Sequence, residues 1–285
     1  MNIKIFVAYH SNSDIFQDEI YTPIQVGRSL SELIPGMVGD NTGDNISNKN
    51  KIYSEMTAMY WVWKNCNDLE YIGLCHYRRF YTFEKDYITL LKKKVIYFIS
   101  RIFIGPTKPG FNFINDNGLV INSKKELDSV NSIFSERLKK EMFKYDMITL
   151  YPIEFSGIDV KTLFSKPSGE YHIRILENIL SEKYPHLLKY FKLQCVSNQL
   201  YPANMCIMKK VVFNEYASFI FNTLETHEIY CVKDEWCYDT LKEKSFYRLS
   251  GYLSEILTST FVNYCKDKSA FNIKYVHQVF YDSSE

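Results

Sequence analysis

The stretch Tyr71-Ile-Gly-Leu-Cys-His-Tyr-Arg-Arg-Phe-Tyr81 passes from an apolar run, Tyr71 to Cys75, straight into a cationic one, His76-Tyr77-Arg78-Arg79. A short apolar run of this kind reads as a buried strand, and the cations emerge from its end. Working outward, Ile3 to Ala8 reads as another buried strand, ending in the polar Tyr9-His10-Ser11. Between the two, Tyr53 to Asn65 places Met56, Met59, Tyr60 and Trp63 at three- and four-residue spacing, the period of a helix. Beyond them, Lys124 to Phe143 reads as helix, Met147 to Tyr151 as strand, Glu170 to Phe191 as helix and Asn204 to Met208 as strand. Helices near 210–227 and 251–266 follow. Strands alternating with helices predict an α/β domain whose central, mostly parallel sheet is flanked by helices. Ligands of such sheets bind beyond the carboxyl ends of the strands, where His10 and the 76–79 cluster both fall.

The chain has 285 residues, 46% of them hydrophobic and 24% charged, enough to bury a full core in one large domain or two small ones. Its 34 Lys and Arg oppose 33 Asp and Glu, a net charge of +1, so no global field favours a long polyanion and nucleic acid is not an expected partner. Aromatic content is high, with 23 Tyr and 20 Phe; such rings either line sugar-like or planar ligands or reflect compositional bias. Cys66, Cys75, Cys195, Cys206, Cys231, Cys237 and Cys265 form no C-x-x-C pair and their number is odd. Buried thiols in a reducing compartment are therefore expected, and with no signal-peptide pattern or long apolar run, a cytoplasmic location. Residues 89–105, TLLKKKVIYFISRIFIG, combine a lysine triplet with apolar residues. They read either as a core helix with a solvated lysine end or as a segment that docks on an anionic membrane surface.

Four groups can carry chemistry. The polar loop 35–50 contains Asp40, Asp44, Asn45, Ser47 and Asn50, whose side chains either bind ribose or sugar hydroxyls or serve as turn and cap residues. His76, Tyr77, Arg78 and Arg79 offer forked donors for a phosphate or carboxylate. Glu55 either pairs with one of those arginines or lies on the open face of its helix. A C-terminal group comprises Asn204, Arg248, Gly251 and Glu255, with Glu255 a candidate general base and Asp146 its rival. No D-x-D, H-E-x-x-H or G-x-S-x-G motif and no Cys/His pair of family spacing occurs, so metal-dependent and triad hydrolysis are not expected.

These motifs together resemble the bacterial capsular and exopolysaccharide biosynthesis proteins long catalogued as a domain of unknown function and now counted among glycosyltransferases. The resemblance rests on IQVG at 24–27, GDNTGDNISNKNKIYSEMTAMYWVWKN at 39–65, YIGLCHYRRFY at 71–81, NMCIMKK at 204–210 and RLSGYLSEIL at 248–257. It covers nearly the whole chain and weakens around 85–125, where an insertion is expected. It implies one GT-A-like glycosyltransferase domain over 1–285, with a donor-nucleotide half, 1–84, and an acceptor-side half, 85–285. The implied substrate is a UDP-sugar, UDP-galactofuranose as in some members of that family, and the implied acceptor a lipid-linked glycan at the inner membrane face. In that scheme His10, the 39–50 loop, Glu55 and His76–Arg79 bind donor without a metal cofactor, while Asn204 and Arg248 face the acceptor.

Overall fold

The computed structural model describes residues 2–84, 118–168, 170–233 and 248–282. The basic stretch 89–105 lies outside the described residues, as does most of the region where an insertion was expected. In chain order the strands are β1 (Ile3–Tyr9), β2 (Tyr21–Gln25), β3 (Val38–Gly39), β4 (Tyr71–His76), β5 (Arg79–Thr82), β6 (Leu119–Ile121), β7 (Met147–Leu150), β8 (Ile153–Glu154), β9 (Gln199–Leu200), β10 (Cys206–Lys209) and β11 (Ile273–Tyr281). The helices are α1 (Asn50–Tyr53), α2 (Met56–Asn65), α3 (Lys124–Glu141), α4 (Val160–Ser168), α5 (Glu170–Lys183), α6 (Pro185–Val196), α7 (Lys210–Lys233) and α8 (Leu249–Lys266).

The main sheet is mixed rather than mostly parallel. β3, β2, β1 and β4 lie side by side in parallel. The outer edge of β4 is then shared by two antiparallel partners: β10 pairs with its first half, at Tyr71 to Gly73, and β5 with its end, at His76. β11 reunites the branches, parallel to β7 through Ile273–Val276 and antiparallel to β5 through His277–Phe280. The division arises because β4 turns back on itself after His76: Tyr77 and Arg78 form a two-residue hairpin, which only antiparallel strands permit.

Both faces of this sheet are covered, which is why β1 and β4 read as unbroken apolar runs. Side chains still alternate. Phe6, Ala8, Ile72 and Leu74 enter one core, against α2 and the helices from α4 to α8. Ile5, Val7, Tyr71 and Cys75 enter a second core, where α3 supplies Leu127, Phe134 and Leu138. His76 follows Ile72 and Leu74 in parity and so faces the helical side.

The expected helix over 53–65 is two helices. Ser54 interrupts it with φ 51° and ψ −132°. The expected helix over 170–191 also breaks, at Tyr184, with Pro185 opening α6. Proline lacks the N–H that a helix interior needs and fits the first turn instead. Among the described residues no helix is long and apolar enough to cross a membrane.

Candidate active site

Four segments distant in sequence meet at the carboxyl end of β4. α2 begins with Glu55 at its cap, 7% exposed. β10 is preceded by the tight turn Pro202–Asn204, and α8 opens with Arg248 at its cap. Asn204, fully buried, is the hub. Its Nδ2 donates to Glu55 Oε1 at 2.9 Å and to Ser254 Oγ at 2.9 Å, and its Oδ1 accepts from Thr258 Oγ1 at 2.8 Å. His76 Nε2 lies 2.8 Å from the Ala203 carbonyl, which can only accept, so the proton is on Nε2.

Backbone strain is concentrated here. Among the described residues the non-glycine positions with positive φ are Ser54, Ala203, Asn204 and Arg248, each adjacent to this cluster. Such conformations cost about 1–3 kcal/mol apiece and persist where surrounding structure over-determines them. The bracing is visible: Arg248 N–H donates to the Lys51 carbonyl at 2.8 Å and Arg248 Nε to Ser54 Oγ at 3.1 Å. Gly251 lets α8 approach the Ser54 bend, since a Cβ there would lie 3.1 Å from Ser54 Oγ.

The electrostatics are uneven. Burial, reinforced by neighbouring Glu55, pushes the Glu255 carboxyl up to about 8 against the opposing pull of Arg79, Arg248 and a backbone hydrogen bond at Ala203. Burial lowers His76, with Arg79 and Arg248 acting in the same direction and Glu55 and the Ala203 carbonyl against it. At neutral pH the site thus holds a neutral imidazole and a half-buried carboxylic acid that readily loses its proton. Two guanidiniums stand over them; among the described residues neither Arg79 nor Arg248 is held in an ion pair, whereas Arg78 is. A carboxyl with a pKa near the working pH suits proton transfer, and unpaired guanidiniums suit an oxyanion.

Residues 4–267 match the family described as domain of unknown function DUF4422. The chain belongs to this family. The apo structure of the bifunctional glycosyltransferase WbbM is similar to this DUF4422 chain, with a TM-score of 0.78 and 22% identity over 99% of this chain and 46% of that one. The chain therefore spans about half the length of that protein, and the likeness is one of fold. No curated protein matches the sequence significantly.

Within this DUF4422 chain, Glu55, His76, Arg79, Asn204, Arg248 and Glu255 come together; several other expected site residues do not. Arg78 leaves the cluster. Its position in the β4–β5 hairpin sends it to the end of β11, where Nη2 pairs with Asp282 at 2.6 Å, Nε donates to the Tyr281 carbonyl and the guanidinium lies 5.0 Å from the Phe280 ring centroid. Arg79, paired across the hairpin with His76, shares its face instead. Asp146 lies at the amino end of β7, at the opposite edge of the sheet, bound to Lys209 Nζ at 2.7 Å and to the Asn272 N–H at 2.9 Å. That position removes it as an alternative base for this cluster.

The 39–50 loop is largely a brace. Asp40 is fully buried and each carboxylate oxygen accepts twice: Oδ1 from Arg28 N–H and Ser47 Oγ, Oδ2 from Gly27 N–H and Thr57 Oγ1. With its lone pairs filled, Asp40 has none left for a sugar hydroxyl. Ser47 is committed to Asp40, and Asn50 donates to the Ser54 carbonyl and Thr57. Asp44 is exposed and held by Tyr60 OH and Asn65, while Asn45 Nδ2 donates to the Gly43 carbonyl. His10 is exposed at the end of β1, its ring 5.0 Å from that of Tyr77.

Sequence reasoning missed Ser54, Ala203, Ser254 and Thr258. The last two had a readable signal, since with Gly251 and Glu255 they recur at helical spacing on α8; the strained turns had none.

Proposed function

We propose that this chain is a glycosyltransferase that moves a sugar from a nucleotide-activated donor to an acceptor hydroxyl, with Glu255 as the general base. The observation that carries the reading is the meeting of Glu255, with its raised pKa, and the unpaired Arg79 and Arg248 at the carboxyl end of β4, on a fold shared with a glycosyltransferase. In the proposed step Glu255 first loses its proton to solvent, and the resulting carboxylate takes the acceptor proton; the freed oxygen forms a bond to the donor's anomeric carbon, and the bond from that carbon to the diphosphate breaks. The electron pair leaves with the diphosphate, whose new charge the two guanidiniums stabilise. His76, with its Nε2 proton held by Ala203, presents an Nδ1 lone pair. A docked phosphate would favour protonation there and turn it into a further donor. The finer reading follows the sequence resemblance: a GT-A-like enzyme acting on UDP-galactofuranose, inverting, with guanidiniums in place of a metal, and a lipid-linked glycan acceptor of capsule, exopolysaccharide or O-antigen synthesis at the inner membrane surface.

Calorimetry with UDP in EDTA, then with manganese, tests the donor site. Binding in EDTA, with proton uptake revealed by buffers of different ionisation enthalpy, is the expected result. Binding only with manganese would replace the guanidinium account by a metal one. Turnover is tested separately, by donor hydrolysis and transfer with UDP-galactofuranose, UDP-galactose and UDP-glucose; UDP binding with no turnover of any donor would favour a non-catalytic sugar-binding role.

A further inference from the structure

A second cluster of chemically capable side chains lies toward the C-terminal end of α7. His227 and Cys231, one helical turn apart, share a face of α7 and meet His172 of α5. All three are buried. His172 Nδ1 and His227 Nε2 are 3.0 Å apart, and Cys231 Sγ lies 3.8 Å from the first and 3.7 Å from the second. Ile175, Ile179 and Tyr171 wall the cluster with apolar surface.

These distances resemble the edges of a coordination tetrahedron. With Zn–N about 2.05 Å and Zn–S about 2.3 Å, a tetrahedral ion sets two nitrogens about 3.3 Å apart and nitrogen and sulfur about 3.6 Å apart. The cluster needs adjustments of only a few tenths of an ångström to meet them. Both rings are buried, and a neutral imidazole offers a ring-nitrogen lone pair to a metal. Two nitrogens and a sulfur suit a borderline-soft divalent ion and not magnesium or calcium.

We propose that His172, His227 and Cys231 form three ligands of a structural zinc site that ties α5 to α7. Binding displaces the N–H proton between the two rings to the other nitrogen of the histidine that carries it, so both imidazoles stay neutral, and the thiol proton goes to solvent. The tie acts on the active-site frame through the same turn of α7. Glu228, between the two ligands of that helix, accepts from Lys49 Nζ at 2.8 Å and from Tyr53 OH at 3.2 Å. Both donors lie in the segment that leads to Ser54 and Glu55.

The test uses the full chain, purified without a histidine tag. Elemental analysis after dialysis should find about one equivalent of zinc, and cobalt added to chelator-stripped protein should produce thiolate-to-cobalt charge-transfer absorption. Zinc returned to the stripped protein at a hundredfold its Kd should raise Tm by about 5 °C. Cys231→Ser and His172→Asn should each abolish the absorption and the shift. Stripped wild-type chain that shows neither absorption nor shift would overturn the proposal, leaving a hydrogen-bonded trio. Absorption that survives in both variants would also overturn it, because the metal would then sit elsewhere.

Discussion

The two edges of the main sheet each carry an acidic residue against a loop, with opposite electrostatics. At the amino edge, Asp146 is pushed up by burial, but the Asn272 N–H and the Lys209 ammonium outweigh this and hold it below the usual value. At the carboxyl edge, Glu255 rises to about 8 because burial and Glu55 prevail over Arg79 and Arg248. One carboxylate is satisfied by its surroundings and therefore inert. The other holds a proton close to the point of release, beside cations in need of an anion, and that imbalance is what a substrate would resolve.

The largest effect that tests this contrast is on turnover. Glu255→Gln is expected to cut transfer by about a hundred- to ten-thousandfold, while Asp146→Asn leaves it nearly intact; equal losses in the two would sink the assignment of Glu255. Stability should separate the edges in the opposite sense. Glu255 has a folded pKa above its ordinary 4.5, so the folded state holds the proton more tightly and its contribution declines as pH rises from about 4.5 to about 8. Glu255→Gln should therefore be more stable than wild type at pH 7, by at most on the order of 3 kcal/mol, and the gain should vanish near pH 4.5. Asp146 is depressed, so its contribution is present above its ordinary pKa and is lost as pH falls through the lower folded value. Urea titrations across pH read both slopes, and parallel slopes would contradict the comparison.

The paired arginines sharpen it further. Arg79→Ala should weaken UDP about ten- to a hundredfold, the worth of a charge-assisted contact of roughly 1.5–3 kcal/mol, with uridine little affected. Arg78→Ala removes a partly exposed ion pair with Asp282, so it should cost less than about 1 kcal/mol of stability and leave the UDP-to-uridine ratio unchanged. If Arg78→Ala shifted that ratio instead, the hairpin would have been assigned the wrong way round.

Much of this architecture was legible. The apolar runs of β1 and β4 and the Met56, Met59, Tyr60, Trp63 spacing of α2 follow from period and burial alone. β11 escaped notice, although it joins β5, β6 and β7. Its Ile-Lys-Tyr-Val-His-Gln-Val-Phe-Tyr carries polar residues on a half-covered strand and lacks the unbroken apolar run that marked the others. The 39–50 loop was readable as structured but not as a brace, because Asp40 finds Gly27, Arg28 and Thr57 only in three dimensions.

By itself, the sequence determined which segments are buried, where the polar loops lie and which residue types could handle a proton or an anion, since period and composition are local properties. Tertiary structure decided which of those residues meet. A two-residue hairpin sends Arg78 one way and Arg79 the other. Strained turns at Ser54 and Ala203–Asn204 aim Glu55 and the hub at one point. The pKa of Glu255 follows from burial beside Glu55, two hundred positions earlier in the chain. Proximity between such distant residues is a product of packing, and no local pattern encodes it.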